Sequence, residues 1–138
     1  MNWDSIASIA TAIGVSIAAW QLWENRKLTG AAFEDSFDQQ YRDLSYLIPV
    51  NALLGKSLDD VKKDQARESV YNYLDLCNEQ IYQRVKGRIS KERRRAWASG
   101  IDSNLSRPFF MEVWGEVKEN APTTFSFLER LEKDGFST

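Results

Sequence analysis

The sequence predicts an all-α protein, with one N-terminal transmembrane helix in residues 1–27 and a small cytoplasmic helical domain in residues 28–138. Three observations carry this expectation. Residues 5–23, SIASIATAIGVSIAAWQLW, form a charge-free run of 19 residues. Beyond it, apolar residues recur every three or four positions, the spacing of one helix face. No stretch alternates convincingly with period two, the pattern of a half-buried strand.

As a helix, the run reaches ~28 Å, about the thickness of a bilayer's hydrocarbon core. Trp3 precedes it, and Trp20 and Trp23 close it, like the aromatic belts at membrane interfaces. A signal peptide would need a positive segment ahead of the run, yet Asp4 precedes it and Arg26 and Lys27 follow it. An amphipathic helix lying on the bilayer surface would need a charged face, which the run lacks. A buried core helix is the stronger rival, because the run is not very hydrophobic. Five Ala, three Ser, Thr11, Gly14 and Gln21 dilute four Ile, Val15 and Leu22. A membrane span is the preferred reading.

The dilution is itself informative. Ile6, Ile9, Ile13, Ile17 and Trp20 make one stripe, and Ser5, Ser8, Ala12, Ser16 and Ala19 another. Ala10, Gly14 and Ala18 form a small-xxx-small series that lets helix backbones approach closely. Such a helix suits packing against copies of itself, either as a non-conducting anchor or as a ring around a narrow pore. In a pore, the Ile stripe would form a dewetting gate or the Ser stripe a wet wall. Arg26 and Lys27 set the orientation, with the N-terminus outside and the rest in the cytoplasm. The single Cys77 agrees, since a large external domain would often carry paired cysteines.

The soluble part, about 110 residues, is enough for one domain with a core. Phe33, Phe37, Tyr41, Leu44 and Ile48 mark a helix ended by Pro49. Val70, Leu74, Cys77, Ile81 and Val85 mark a second, ended near Gly87. Trp97, Ile101 and Leu105 mark a third, with Ser90 as its N-cap. Pro108 fits the first turn of a fourth, carrying Phe110, Val113, Trp114 and Val117. Thr123 or Thr124 caps a fifth, with Phe127, Leu128 and Leu131. Aromatics at these spacings are core residues first.

No catalytic constellation is present, and the expectation is a protein that is not an enzyme and has neither cofactor nor metal. The chain has no His, which removes most general-base, triad and metal-site designs. Cys77 lies on the apolar face of its helix and reads as core. Residues 87–91, GRISK, lack the glycine pair of a phosphate loop. Asp75, Asn78, Glu79, Tyr71 and Tyr82 make a polar patch, read as structural or solvated before it is read as a site.

The charge distribution is the second strong signal. Residues 84–95 hold seven basic side chains, Arg84, Lys86, Arg88, Lys91, Arg93, Arg94 and Arg95, against the single acid Glu92. That is +6 in a chain of −2, so the remainder carries −8. At 100° per residue, Arg93 and Arg94 border the face of Trp97 and Ile101, while Lys91 and Arg95 point away. Such a patch can be a solvated face. Its possible partners are anionic lipid headgroups, the acidic face of a neighbouring copy, or an oligonucleotide. In the last case Arg84, Lys86, Arg88, Arg93 and Arg94 would hold phosphates, with Tyr82 or Trp97 for stacking.

Residues 73–80 (YLDLCNEQ) and 86–90 (KGRIS), with Trp97, Gly100, Ile101, Leu105, Pro108 and Trp114, carry a resemblance over roughly residues 20–118. They resemble small bacterial membrane-anchored proteins that pair N-terminal spans with a helical cytoplasmic domain, which implies the inner membrane. The build is also similar to membrane effectors of phage-defence operons, including the Hailong type. There a nucleotidyltransferase makes a short single-stranded DNA oligomer, and the membrane partner is an oligomeric channel controlled by it. The resemblance implies a homo-oligomeric, multi-helix pore and a cytoplasmic oligonucleotide site; from the stripes, Ile6, Ile9, Ala10, Ile13, Gly14, Ser16, Ile17 and Ala18 are the residues for a pore or for helix packing. Two functions follow. One is a ligand-controlled ion channel. The other is a non-conducting, membrane-tethered scaffold whose basic patch binds anionic lipid or a partner protein.

Overall fold

The computed structural model describes residues 2–137. Among them the protein is all-α, with six helices and no strand: α1 (Trp3–Leu47), α2 (Val50–Leu53), α3 (Asp60–Val85), α4 (Lys91–Leu105), α5 (Pro108–Asn120) and α6 (Ser126–Lys133). The chain divides into two compact units, Met1–Phe33 and Glu34–Thr138.

The first unit is the early part of α1. Asn2 caps it, its Oδ1 accepting from the Ser5 amide at 3.0 Å. The apolar window of this helix is long and apolar enough to cross a membrane, and none of it is buried within the protein. A core helix hides its apolar face, whereas here Ile9 and Ile13 are more than half exposed. The hydroxyls cost little in an apolar setting. Ser8, Thr11 and Ser16 donate to the carbonyls of Asp4, Ala7 and Ala12 at 2.8–2.9 Å, so each donor is satisfied inside the helix. Gly14 has open space where a side chain would stand.

The sequence pattern suggested a span and then a separate helix from Phe33. The structure instead assigns one helix of 45 residues. Nothing between them can break it: residues 24–47 contain no Pro, and the lone Gly30 is tolerated in a helix. The helix stops at Leu47, where Pro49 disfavours helical geometry at the residue before it. Pro49 then leads into the short α2, which the periodicity did not reveal.

In the second unit, α3 is the central element, packing on α4, α5 and α6. Asp59 caps it by accepting from the Lys62 amide at 2.8 Å. Val70, Leu74 and Cys77 form its fully buried stripe. Facing them are Phe110, Val113 and Trp114 of α5, Leu128 and Leu131 of α6, and Ile101 and Leu105 of α4. Val85, expected on this stripe, is 60% exposed, because the stripe's drift carries the last turn out of the core. Lys86 and Gly87 end the helix, and Gly87 takes the left-handed conformation (φ 70°) that glycine adopts without strain. Ser90 caps α4 by accepting from the Arg93 amide at 3.3 Å, and Pro108 opens α5.

Polar contacts finish the bundle. Lys63 pairs with Glu112 at 2.9 Å and Arg67 with Glu116, two rungs one turn apart between α3 and α5. Glu132 of α6 accepts from Trp114 Nε1 at 2.6 Å and from Lys118 Nζ at 2.7 Å. The start of α6 departs from expectation. Neither Thr123 nor Thr124 caps it, and Thr123 lies at φ 68°, away from the extended geometry of an N-cap. Asn78 of α3 does the work across the core: its Oδ1 accepts from the amides of Phe127 at 3.0 Å and Leu128 at 3.2 Å.

Two predictions follow from this core. Asn78→Ala leaves two amides of α6 without an acceptor, and a urea titration should show a loss of about 1–2 kcal/mol. Burial pushes the Cys77 thiol from its ordinary 9.0 up to about 12. Between those values the unfolded chain releases the proton and the folded chain keeps it, so stability is full below about 9 and falls as pH rises through about 12. Burial also raises the Tyr73 phenol, so Cys77→Ala should remove only the thiol's share of the alkaline slope in the urea midpoint.

Candidate functional site

The α3–α4 corner carries the basic segment, and one of its arginines is already committed. Arg93 meets three carboxylates: Glu34 at 3.5 Å, Asp35 at 3.5 Å and Asp38 in a close contact. Glu34 also accepts from the Ser90 amide at 2.7 Å. Beside this pair, Trp97 Nε1 donates to Asp38 Oδ1 at 3.2 Å, and the Trp97 ring meets the edge of Phe37 at 5.4 Å. The start of α4 is thus bound to residues 34–38 of α1 by a charge cluster and an aromatic pair. Arg93 is half-buried in it and has no surplus charge to offer a phosphate.

Arg94 is in the opposite condition. Its side chain makes no hydrogen bond or ion pair among the described residues, and its Nε is buried without an acceptor. It lines a narrow crevice of about 10 Å³ with Gln80, Ile81, Arg84, Trp97, Ala98, Ile101 and Leu131. That is room for about one water. The Arg84 side chain donates to the Ser137 carbonyl at 3.1 Å, and among the described residues no carboxylate lines the crevice. Asp134 shares only the adjoining groove with Arg84, where Arg130 also stands. Two guanidiniums at one crevice without a counter-charge repel each other, and an anionic oxygen at its mouth relieves both.

A wider cleft of about 290 Å³ lies on the other side of Trp97 and Gln80. Tyr41, Tyr73, Trp97, Ile101 and Gly100 line it, with Asp38 and Arg93 on its rim. Asn104 belongs to the same wall and donates to the Tyr73 hydroxyl at 2.7 Å.

The other expected ligand residues are dispersed. Tyr82 turns toward α6, where its ring meets Phe127 at 5.3 Å and Lys86 lies over it at 5.4 Å, so its faces are occupied. Arg88 donates to Gln83 Oε1 at 3.0 Å at the turn. Lys91 and Arg95 are exposed. Of the seven residues, Arg84, Arg94 and Trp97 share one crevice, Arg93 serves the hold on α1, and Lys86, Arg88 and Tyr82 flank the corner. The pore or packing residues, Ile6 to Ala18, all lie in the first unit with their side chains outward.

Glu34, Asp35, Asp38 and Gln80 were not singled out by the sequence. Acids at positions i, i+1 and i+4 beside Phe37 were the available signal for the first three. In the polar patch, Asn78 caps α6 and Tyr71 packs on Phe125 at 5.2 Å. Asp75 and Glu79 line an acidic groove with Gln40, Asp43 and Asn72.

No known protein family, no curated protein and no solved structure matches this chain.

Arg93→Glu puts a fourth carboxylate against Glu34, Asp35 and Asp38. The cluster is partly solvated, so the expected loss is about 1–2 kcal/mol, read by thermal unfolding. Adding Asp38→Arg should recover part of it.

Proposed function

We propose that this chain is a non-enzymatic subunit of an oligomeric membrane effector, an ion channel of a bacterial antiphage defence system. Its cytoplasmic domain is controlled by an anionic oligonucleotide, a single-stranded DNA oligomer made by a nucleotidyltransferase partner. The span sits in the inner membrane with its N-terminus outside, and copies associate through the Ala10, Gly14 and Ala18 face. The observation that carries the reading is the unpaired Arg84–Arg94 crevice beside Trp97. In a chain with net negative charge, two arginines left without a carboxylate make a site for an external anion.

The proposed control runs through α1. The same helix carries the apolar run and residues 34–38, which Arg93 and Trp97 hold. A ligand bound beside Trp97 shifts the pore between closed and open only if its affinity differs between the two states.

Ion flux through liposomes containing the full-length protein, with and without short single-stranded DNA, tests this. Flux that changes with oligomer is the expected result, and its sign tells whether the ligand opens or shuts the pore. The double variant Arg84→Glu, Arg94→Glu should need roughly tenfold more oligomer or fail to respond, while folding normally. Absence of flux from correctly inserted protein, together with binding to anionic liposomes that DNA does not alter, would favour the tethered scaffold.

A further inference from the structure

We infer that the cleft between α1, α3 and α4 receives one flat heteroaromatic ring, a single base of the oligonucleotide, and that Gln80 reads its hydrogen-bonding edge. The inference rests on the anion reading of the Arg84–Arg94 crevice and names a second part of the same site.

Gln80 is the leading observation. It is only 7% exposed, yet its carboxamide makes no hydrogen bond among the described residues. Among the described residues the one fully buried, unpartnered side-chain polar atom is the Arg94 Nε, so the Gln80 carboxamide still reaches the cleft's surface, where a partner from outside the chain can meet it. Its side chain lines both the crevice and the cleft. A carboxamide offers a donor and an acceptor side by side, which matches the paired donor and acceptor on the edge of a base.

The walls suit a ring. Tyr41, Tyr73, Trp97 and Ile101 give flat or apolar surfaces on which a base can stack without regard to sequence. Charge argues for the same assignment. The ionic groups of the cleft, Asp38 and Arg93, are paired with each other, so the cleft favours a neutral ring over an ion. The crevice has the reverse character, with two cations and no acid. Gln80, Trp97 and Ile101 are common to both. A neutral ring joined to an anion is the chemistry of one nucleotide unit. The cleft's volume is at the small end of ligand pockets, enough for one ring system.

Gly100 supplies the means to test the idea. It lines the cleft from the interior of α4, where glycine is a poor helix former. No atom lies within 4 Å of the place a Cβ would take. A side chain there therefore starts from the cleft lining with its Cβ free of contact.

The experiment measures fluorescence anisotropy of the full-length protein in detergent with labelled single-stranded DNA of mixed sequence. The comparison probe is an abasic oligomer of equal length, which keeps the phosphates and lacks the rings. The expected result is base-bearing DNA bound roughly tenfold or more tightly. Gly100→Leu should bring base-bearing DNA down to the abasic level and leave abasic binding unchanged, with a thermal midpoint no lower than that of the wild type. Gln80→Met, of similar size and without the amide, should act in the same direction. Equal affinity for the two oligomers overturns the base cleft while leaving the phosphate crevice standing. So does a loss in both variants that is the same for both oligomers. Failure of folded wild-type protein to bind either oligomer overturns the oligonucleotide reading, and the base cleft with it.

Discussion

The grip of Arg93 on Glu34, Asp35 and Asp38 is the interaction on which the rest of the candidate site depends. The chain spends its most central arginine on three carboxylates of one helical turn, although a single carboxylate would neutralise it. The surplus negative charge is tolerable because Asp35 is largely solvated and the other groups gain further partners. Glu34 takes the Ser90 amide and Asp38 takes the Trp97 indole. These bonds fix residues 34–38 of α1 against the start of α4. With that side in place, Tyr41 and Asp38 stand opposite Tyr73, Trp97 and Gly100, and the cleft has two walls.

The same commitment explains why Arg94, the next residue, remains unpaired. A helix turns 100° per residue, so adjacent arginines cannot serve the same turn of a neighbouring helix. Arg93 faces α1, and Arg94 is carried toward α3 and α6. Among the described residues no acid lines the crevice there, and Asp134 stands only in the adjoining groove with Arg84 and Arg130. An excess of acidic residues in the whole chain therefore coexists with a local deficit at one crevice. Net charge describes the protein's long-range field, but the site is decided by which side chains line it.

The sequence made much of the fold legible and less of the site. Period-3.6 patterns, the Ser90 cap and Pro108 are local signals, and each stands in the structure at its expected place. The features that escaped are non-local. Asn78 caps a helix about fifty residues away, and Arg93 finds its partners at a separation of more than fifty. A wheel shows that Arg93 and Arg94 border the apolar face, but not that one meets acid and the other none. The burial of Gln80 is set by how α4 and α6 cover α3. The continuous α1 was misread for a different reason. A change from apolar to charged composition suggests a boundary, but it breaks no backbone hydrogen bond, and residues 24–47 contain no proline to do so.

Trp97 is the point where these separate facts meet. Its indole donates to Asp38, its ring packs on Phe37, and its side chain walls both the crevice and the cleft. Occupancy of either cavity and the hold on α1 therefore share one rigid side chain. A ligand that favours one position of that indole biases the Asp38 bond, and by linkage the state of α1 biases the ligand's affinity in equal measure. Arg93 resists the change because its bonds to Glu34 and Asp35 do not pass through Trp97. On the proposed reading, the response is graded by how far Asp38 shifts between these two partners, with no need for the whole interface to separate.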